Sequence, residues 1–179
     1  IELAEEQGSY DLPGTDAAEL AQWFHQGADR RDLGLYLETF GHVVALMQRR
    51  DAIVRIAREC AEDLAADGVV YAEVRMAPEP CVEGGLSMDE ATDAMLEGLA
   101  QGSAGTELTV RLLCTAMRTA ARSVDVAQVA LNHRDDGVVG FDIAGPESGN
   151  PPHLFASSYE IARLGRLGLT AHAGEDGPA

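Results

Sequence analysis

Four short runs rich in valine, leucine and isoleucine recur down the second half of the chain: "VVYAEVRMA" (69–77), "LTVRLLCTAM" (108–117), "VVGFDIAG" (138–145) and "LGLTAHAG" (167–174). Runs this short and this apolar read as buried strands. Longer stretches with helical signals separate them. "SMDEATDAMLEGLAQG" opens with Ser87 as an N-cap and Glu90 three residues on, the capping-box spacing, and is expected to stop at Gly102. "SVDVAQVALNHRDDG" is expected to start at Ser123 and to end at Gly137, with an apolar stripe at Val126, Val129 and Ala130. "SSYEIARLGRLG" supplies a third helix before the last strand. Upstream, residues 16–26 and roughly 32–67 are helical in pattern, the latter broken near Arg49–Asp51, and the first residues already look helical.

A helical front half followed by β-α-β-α-β-α-β implies an α/β fold whose parallel sheet is covered by helices. An open doubly wound sheet and part of a (β/α)8 barrel both have this pattern. The strand ends favour the barrel. Arg75, Arg118, Asp142 and the pair His172 and Glu175 fall at or just past the carboxyl ends of four successive runs, where barrel enzymes gather catalytic groups from several strands. No G-x-G-x-x-G follows a strand, so a dinucleotide site loses its main support. The expected architecture is a partial (β/α)8 TIM barrel of about four consecutive parallel strands with a helical N-terminal section, in a single domain over 1–179.

Composition excludes several chemistries. The formal net charge is −17, from 30 acids against 13 bases, and such a field repels phosphate backbones and anionic membrane surfaces. Neither nucleic acid nor membrane is an expected partner. No apolar run approaches the ~18 residues of a membrane span, and "IELAEEQGSYDLPG" has neither the basic nor the apolar region of a signal peptide. All 13 bases are arginine, which removes mechanisms built on a Schiff-base or phosphate-loop lysine. Cys60, Cys81 and Cys114 are odd in number and far apart, so they make neither a disulfide framework nor a zinc knuckle, and a reducing cytoplasm is the expected setting. Cys114 is expected to be a small buried hydrophobe.

The sharpest chemical group is "HAGE" (172–175). Imidazole suits zinc, and a nearby carboxylate free of the metal can protonate a substrate nitrogen or manage the attacking water. Gly174 would let the backbone turn sharply between the two side chains. Taken alone, the same residues could also form a polar strand end facing solvent. Asp142 also has two readings, a member of the inner polar shell or a cap on the strand–loop junction. His25, His42, His133 and His153 match no ligand motif.

In that order and at those separations, "GVVYAEVRMAPE", "VRLLCTAMR", "GVVGFDIAGPESGNPP" and "LTAHAGE" resemble the adenosine deaminases, zinc-dependent aminohydrolases of the metal-dependent amidohydrolase superfamily. The resemblance extends through the helical "LYLETFGHVVALMQRRDAIVRIARECAEDLAADGVVYAEVR" and so covers nearly the whole chain. It implies a barrel in which zinc at the mouth activates water to attack C6 of adenosine or 2'-deoxyadenosine, giving inosine and ammonia in purine salvage. It implies His172 as a zinc ligand, Glu175 as the proton donor to purine N1, and Gly145 as a main-chain contact to purine N3. The expected partner is a small-molecule purine nucleoside, and no obligate protein partner is inferred. Leu33, Tyr36, Leu37 and Phe40 have the spacing of a core-facing helix stripe, and the corresponding helix in that family lies over the purine pocket as an apolar lid. A proton-donating Glu175 would need its pKa raised by exclusion of water and by nearby negative charge.

The chain departs from the family pattern in one respect. The family's zinc site also draws on an H-x-H after the first barrel strand, a histidine on the strand beyond "HAGE" and a late aspartate, and no H-x-H occurs here. One histidine cannot hold catalytic zinc, which takes about three protein ligands plus water. The chain is therefore expected to be an internal fragment, inactive and without zinc by itself. Two further readings stand beside this one: a deaminase of another aminated purine on the same fold, and a non-catalytic acidic barrel fragment. "PEPCVEGG" superficially matches the base deaminases, but Cys81 has no second cysteine at the needed spacing and H-x-E is absent.

Overall fold

The four apolar runs form four parallel strands in the computed structural model, which describes residues 1–8, 12–14, 16–29 and 32–175. They are β1 (Tyr71–Met76), β2 (Thr109–Met117), β3 (Val138–Ala144) and β4 (Gly168–Leu169). Their spatial order is their chain order, β1-β2-β3-β4. A doubly wound sheet reverses its strand order at a switch point, whereas a barrel adds each strand beside the last. This order is that of a barrel wall. β4 is shorter than the run 167–174, yet its ladder continues, with Thr170 N–H donating to Phe141 O at 3.1 Å and His172 N–H to Ile143 O at 2.9 Å.

Seven α-helices accompany the strands among the described residues: α1 (Glu2–Gln7), α2 (Ala17–Ala28), α3 (Leu33–Leu46), α4 (Arg50–Ala66), α5 (Met88–Ser103), α6 (Ser123–Asn132) and α7 (Ala156–Leu164). The chain divides into two compact units, Ile1–Met47 and Gln48–Ala179. In the first, Asp16 caps α2 by accepting from Ala18 N and Glu19 N, and Asp32 caps α3 by accepting from Leu35 N. α2 and α3 enclose a groove of about 370 Å³ lined by residues that include Phe24, His25, Tyr36 and Phe40. Leu33, Tyr36, Leu37 and Phe40 all lie on α3, but none is buried as a core-facing stripe would be: the first three are half-buried, and Phe40, exposed at 45%, lines this groove together with Tyr36.

In the second unit, α4 packs on α5, α5 on α6, and α6 on α7. The strand face beneath them carries Leu112, Cys114, Phe141 and Ile143, all buried. Cys114 is a free thiol, and burial pushes its pKa up to about 12, as suits an inert hydrophobe. The Ser87/Glu90 capping box forms as expected, with Ser87 Oγ accepting from Glu90 N at 3.1 Å and Glu90 Oε2 accepting from Ser87 N at 2.8 Å. Three boundaries differ from the sequence reading. α6 ends at Asn132, not at Gly137, and a 3-10 turn over Arg134–Asp136 fills the interval. Gly102 lies inside α5, where it packs against α4, and the chain turns later at Gly105, φ +76°. Ser123 is the first residue of α6 and not its cap, because its hydroxyl accepts from Ser158 Oγ of α7 at 2.8 Å instead of from its own helix. No helix among the described residues is long and apolar enough to cross a membrane.

Candidate active site

Side chains alternate along a strand, so Arg75, Thr115 and Asp142 all leave the face of the sheet opposite the helices. Thr115 and Asp142 are direct register partners on β2 and β3. Asp142 is fully buried and is the hub of the site. Its Oδ2 lies 3.1 Å from Thr115 Oγ1, 3.6 Å from Arg75 Nε and 2.7 Å from His172 Nδ1, and its Oδ1 lies 3.3 Å from Thr170 Oγ1. Every one of these neighbours can donate. A carboxylate is acceptor-only, so the short contact to His172 assigns the imidazole proton to Nδ1 and leaves the Nε2 lone pair free. Of the two sequence readings of Asp142, the inner polar shell is the one its geometry matches.

The main chain of the fourth strand end is held as tightly as its side chains. Tyr159 Oη donates to Thr170 O at 2.7 Å, and Arg118 Nη2 donates to His172 O at 2.7 Å. Burial pushes the Tyr159 phenol up to about 12, so it remains a donor at neutral pH. Gly145 ends β3 with φ +101° and Gly174 turns the chain with φ +79°, both values that disfavour a side chain. The loop between them carries Glu147, whose Oε1 accepts from Glu175 N at 3.4 Å. Glu175 itself is exposed. Thus the structure gathers Arg75, Arg118, Asp142 and His172 from four strand ends, with Gly145 and Glu175 on the adjoining loops.

Sequence reasoning did not single out Thr115, Thr170, Tyr159 or Glu147. The two threonines carried a faint signal, as hydroxyls within otherwise apolar strands. His133 is buried between acids, with Nε2 3.1 Å from Asp89 Oδ1 and Nδ1 3.3 Å from Asp93 Oδ1, and stands apart from this group.

Glu79 tethers the end of β1 to that of β2, its buried carboxyl accepting from Met117 N at 2.6 Å while Oε1 has no hydrogen-bond partner among the described residues. Burial raises its pKa, with the Met117 amide opposing. The folded chain therefore keeps this proton to higher pH than the unfolded chain does. The group's contribution to stability is complete below the usual glutamate pKa of about 4.3 and is lost as pH rises through the folded value. Glu79→Gln keeps an oxygen for Met117 N–H and cannot ionise. Its urea midpoint is expected to match or exceed that of wild type at pH 7 and to decline less between pH 4 and pH 8. An identical decline in both proteins would assign the effect to another group.

Zinc fits part of this arrangement. An imidazole backed by a carboxylate at Nδ1, with Nε2 free, is the usual form of a histidine ligand. Among the described residues, however, no group of three or more histidine, cysteine, aspartate or glutamate side chains is placed to hold a metal ion. The residues fit one corner of a zinc centre.

Comparison with known proteins agrees with this geometry. An adenosine deaminase of Mycolicibacterium gilvum is 52% identical over 180 residues, which cover 98% of this chain and 50% of that protein. Adenine deaminase from Arthrobacter aurescens superposes with a TM-score of 0.82 at 27% identity, covering 99% of this chain and 53% of that one. An amidohydrolase from Burkholderia ambifaria, solved with bound Zn, gives a TM-score of 0.77 at 28% identity, with 97% and 47% covered. The chain thus spans about half the length of the relatives it matches. The adenosine deaminase family profile matches residues 1–179 without remainder, and the chain belongs to that family.

Proposed function

We propose that the protein carrying this chain hydrolyses adenosine and 2'-deoxyadenosine to inosine or 2'-deoxyinosine and ammonia, in cytoplasmic purine salvage. The observation that carries this reading is the Asp142–His172 pair, 2.7 Å apart, which leaves imidazole Nε2 free at the mouth of a parallel barrel wall. His172 would be one zinc ligand, with the remaining ligands supplied from outside these 179 residues. The chemistry zinc supplies in such a site is a more acidic water, and so a nucleophile near neutral pH. Asp142 keeps the His172 proton on Nδ1. Gly145, with no side chain and φ +101°, lets its main chain approach purine N3. Glu175 gives a proton to purine N1, which makes C6 more electrophilic as water adds and the amino group leaves as ammonia. A proton donor placed in this way contributes about 100-fold to 10,000-fold.

The fall in ultraviolet absorbance as adenosine becomes inosine tests the proposal in the intact protein. Turnover is expected to vanish on chelation, to return with zinc, and to drop at least about 100-fold in Glu175→Gln. Turnover indifferent to zinc, or a Glu175→Gln variant as active as wild type, overturns the reading. The likeness to an adenine deaminase favours one alternative, a different aminated purine as substrate. Higher kcat/KM for adenine than for adenosine would select it.

A further inference from the structure

Arg118 directly follows β2 and is only 4% exposed. Among the described residues it forms no ion pair, and its Nε has no hydrogen-bond partner. Its two terminal nitrogens instead donate to main-chain carbonyls on two different segments: Nη1 to Asn150 O and Nη2 to His172 O. Burying a cation without a carboxylate is costly, and a neutral amide could brace a single carbonyl at lower cost. What only a guanidinium offers is a rigid planar fork that reaches two acceptors at once.

The two carbonyls belong to the segments that matter most for the proposed chemistry. Asn150 closes the loop that starts at Gly145 and contains Glu147, and its own amide donates to Glu147 O at 2.9 Å. His172 is then gripped at three points: its N–H by Ile143 O, its carbonyl by Arg118, and its Nδ1 by Asp142. With main chain and ring both fixed, the direction of Nε2 is fixed.

We propose that Arg118 is a positioning residue: a buried guanidinium fork that locks the His172 main chain to the loop Gly145–Asn150, and so aims the imidazole. Its link to catalysis rests on the reading of His172 as a zinc ligand, but the clamp itself can be tested without that reading.

In the unmodified chain, a clamped guanidinium holds its Nη protons in distinct environments. Separate, slowly rotating Nη resonances are expected for Arg118 by NMR. A single averaged guanidinium signal, the mark of free rotation, overturns the proposal even if every variant fails to fold. In Arg118→Lys, amide exchange at 146–150 and 170–174 is expected to quicken at least 10-fold while β2 core amides keep their protection, and the His172 ring ¹⁵N signals are expected to shift. Unchanged loop exchange and unchanged His172 ring signals in a folded Arg118→Lys overturn it. In the intact protein, Arg118→Lys is expected to weaken zinc affinity about 10- to 100-fold, the range seen when a group orienting a metal ligand is lost. Wild-type affinity in the folded variant likewise overturns the positioning role. Absence of zinc binding in the wild type would instead refute the ligand reading of His172, and the resonance and exchange measurements would still decide the clamp.

Discussion

Asp142→Asn in the intact protein is expected to lower kcat for the proposed deamination of adenosine by between about 10-fold and about 10,000-fold while leaving the unfolding midpoint close to that of wild type. The substitution keeps size and shape but turns one acceptor oxygen into an NH2 donor. If that NH2 faces His172, the ring must accept at Nδ1, and its proton moves to Nε2. A protonated Nε2 cannot bind a metal. If the amide oxygen faces His172 instead, it also meets Arg75 and Thr115, and the NH2 group takes the place of Oδ1 beside the Thr170 hydroxyl; the tautomer is then kept, but the negative charge behind the ring is lost. The lower bound is the usual loss when a group orienting a metal ligand is removed. The upper bound is the loss in serine proteases when the aspartate behind the catalytic histidine becomes asparagine and the tautomer is wrong. Stability changes little because Arg75 is half-exposed and can turn to water. Imidazole ¹⁵N spectra of His172 would read the tautomer directly. A variant with the wild-type tautomer and wild-type kcat would mean that Asp142 does not set the ring.

Gly98→Leu is expected to abolish folding of the second unit, and Gly98→Ala to cost about 1–3 kcal/mol. α4 and α5 approach closely along Gly98 and Gly102 of one helix and Ala57 and Ala61 of the other. A Cβ on Gly98 would overlap Val54 O and lie 2.6 Å from Ala57 Cβ. One on Gly102 would overlap Arg58 O and lie 2.8 Å from Ala61 Cβ. Alanine is better than glycine in a helix interior by about 1 kcal/mol, which taken alone predicts stabilisation. The clash outweighs it, because the opposing atom is a main-chain oxygen that cannot rotate aside. Leucine would force the helices apart and expose Ile53 and Leu99, both in the core. A domain stable by only ~5–15 kcal/mol cannot absorb that. Urea unfolding of Gly98→Ala beside Ala100→Gly, an exposed position on the same helix, checks the argument. A Gly98→Ala midpoint above wild type would show that the helices can part at little cost.

These two cases mark where the sequence was legible. The strands were visible as apolar runs, and the structure places a strand in each, because the helix-facing side of the sheet leaves little room for polar residues, although β1 keeps one exposed face with Glu73 and Arg75 and β4 stops at Leu169. The convergence of Arg75, Arg118, Asp142 and His172 was also readable, since in a parallel sheet every carboxyl end lies at the same edge. Gly102 was misread as a helix stop. A glycine signals both a turn and a close approach, and only the neighbouring helix distinguishes them. Ser123 was misread as a cap for a similar reason, its hydroxyl being engaged by Ser158 from a helix 35 residues away in sequence.

What the sequence by itself determined is the order of elements, the class of fold and the identity of the strand-end residues, all consequences of local patterning and of ordered motifs. The tertiary structure alone decided what those residues do to one another. Four donors on one buried carboxylate, the proton on Nδ1 of His172, and a guanidinium shared between Asn150 and His172 all depend on strand register and on contacts between residues 27 to 67 positions apart. A one-residue slip in register would send Asp142 to the other face of the sheet. No periodicity in the chain records that register, because it is set by the packing of helices over Leu112, Phe141 and Ile143.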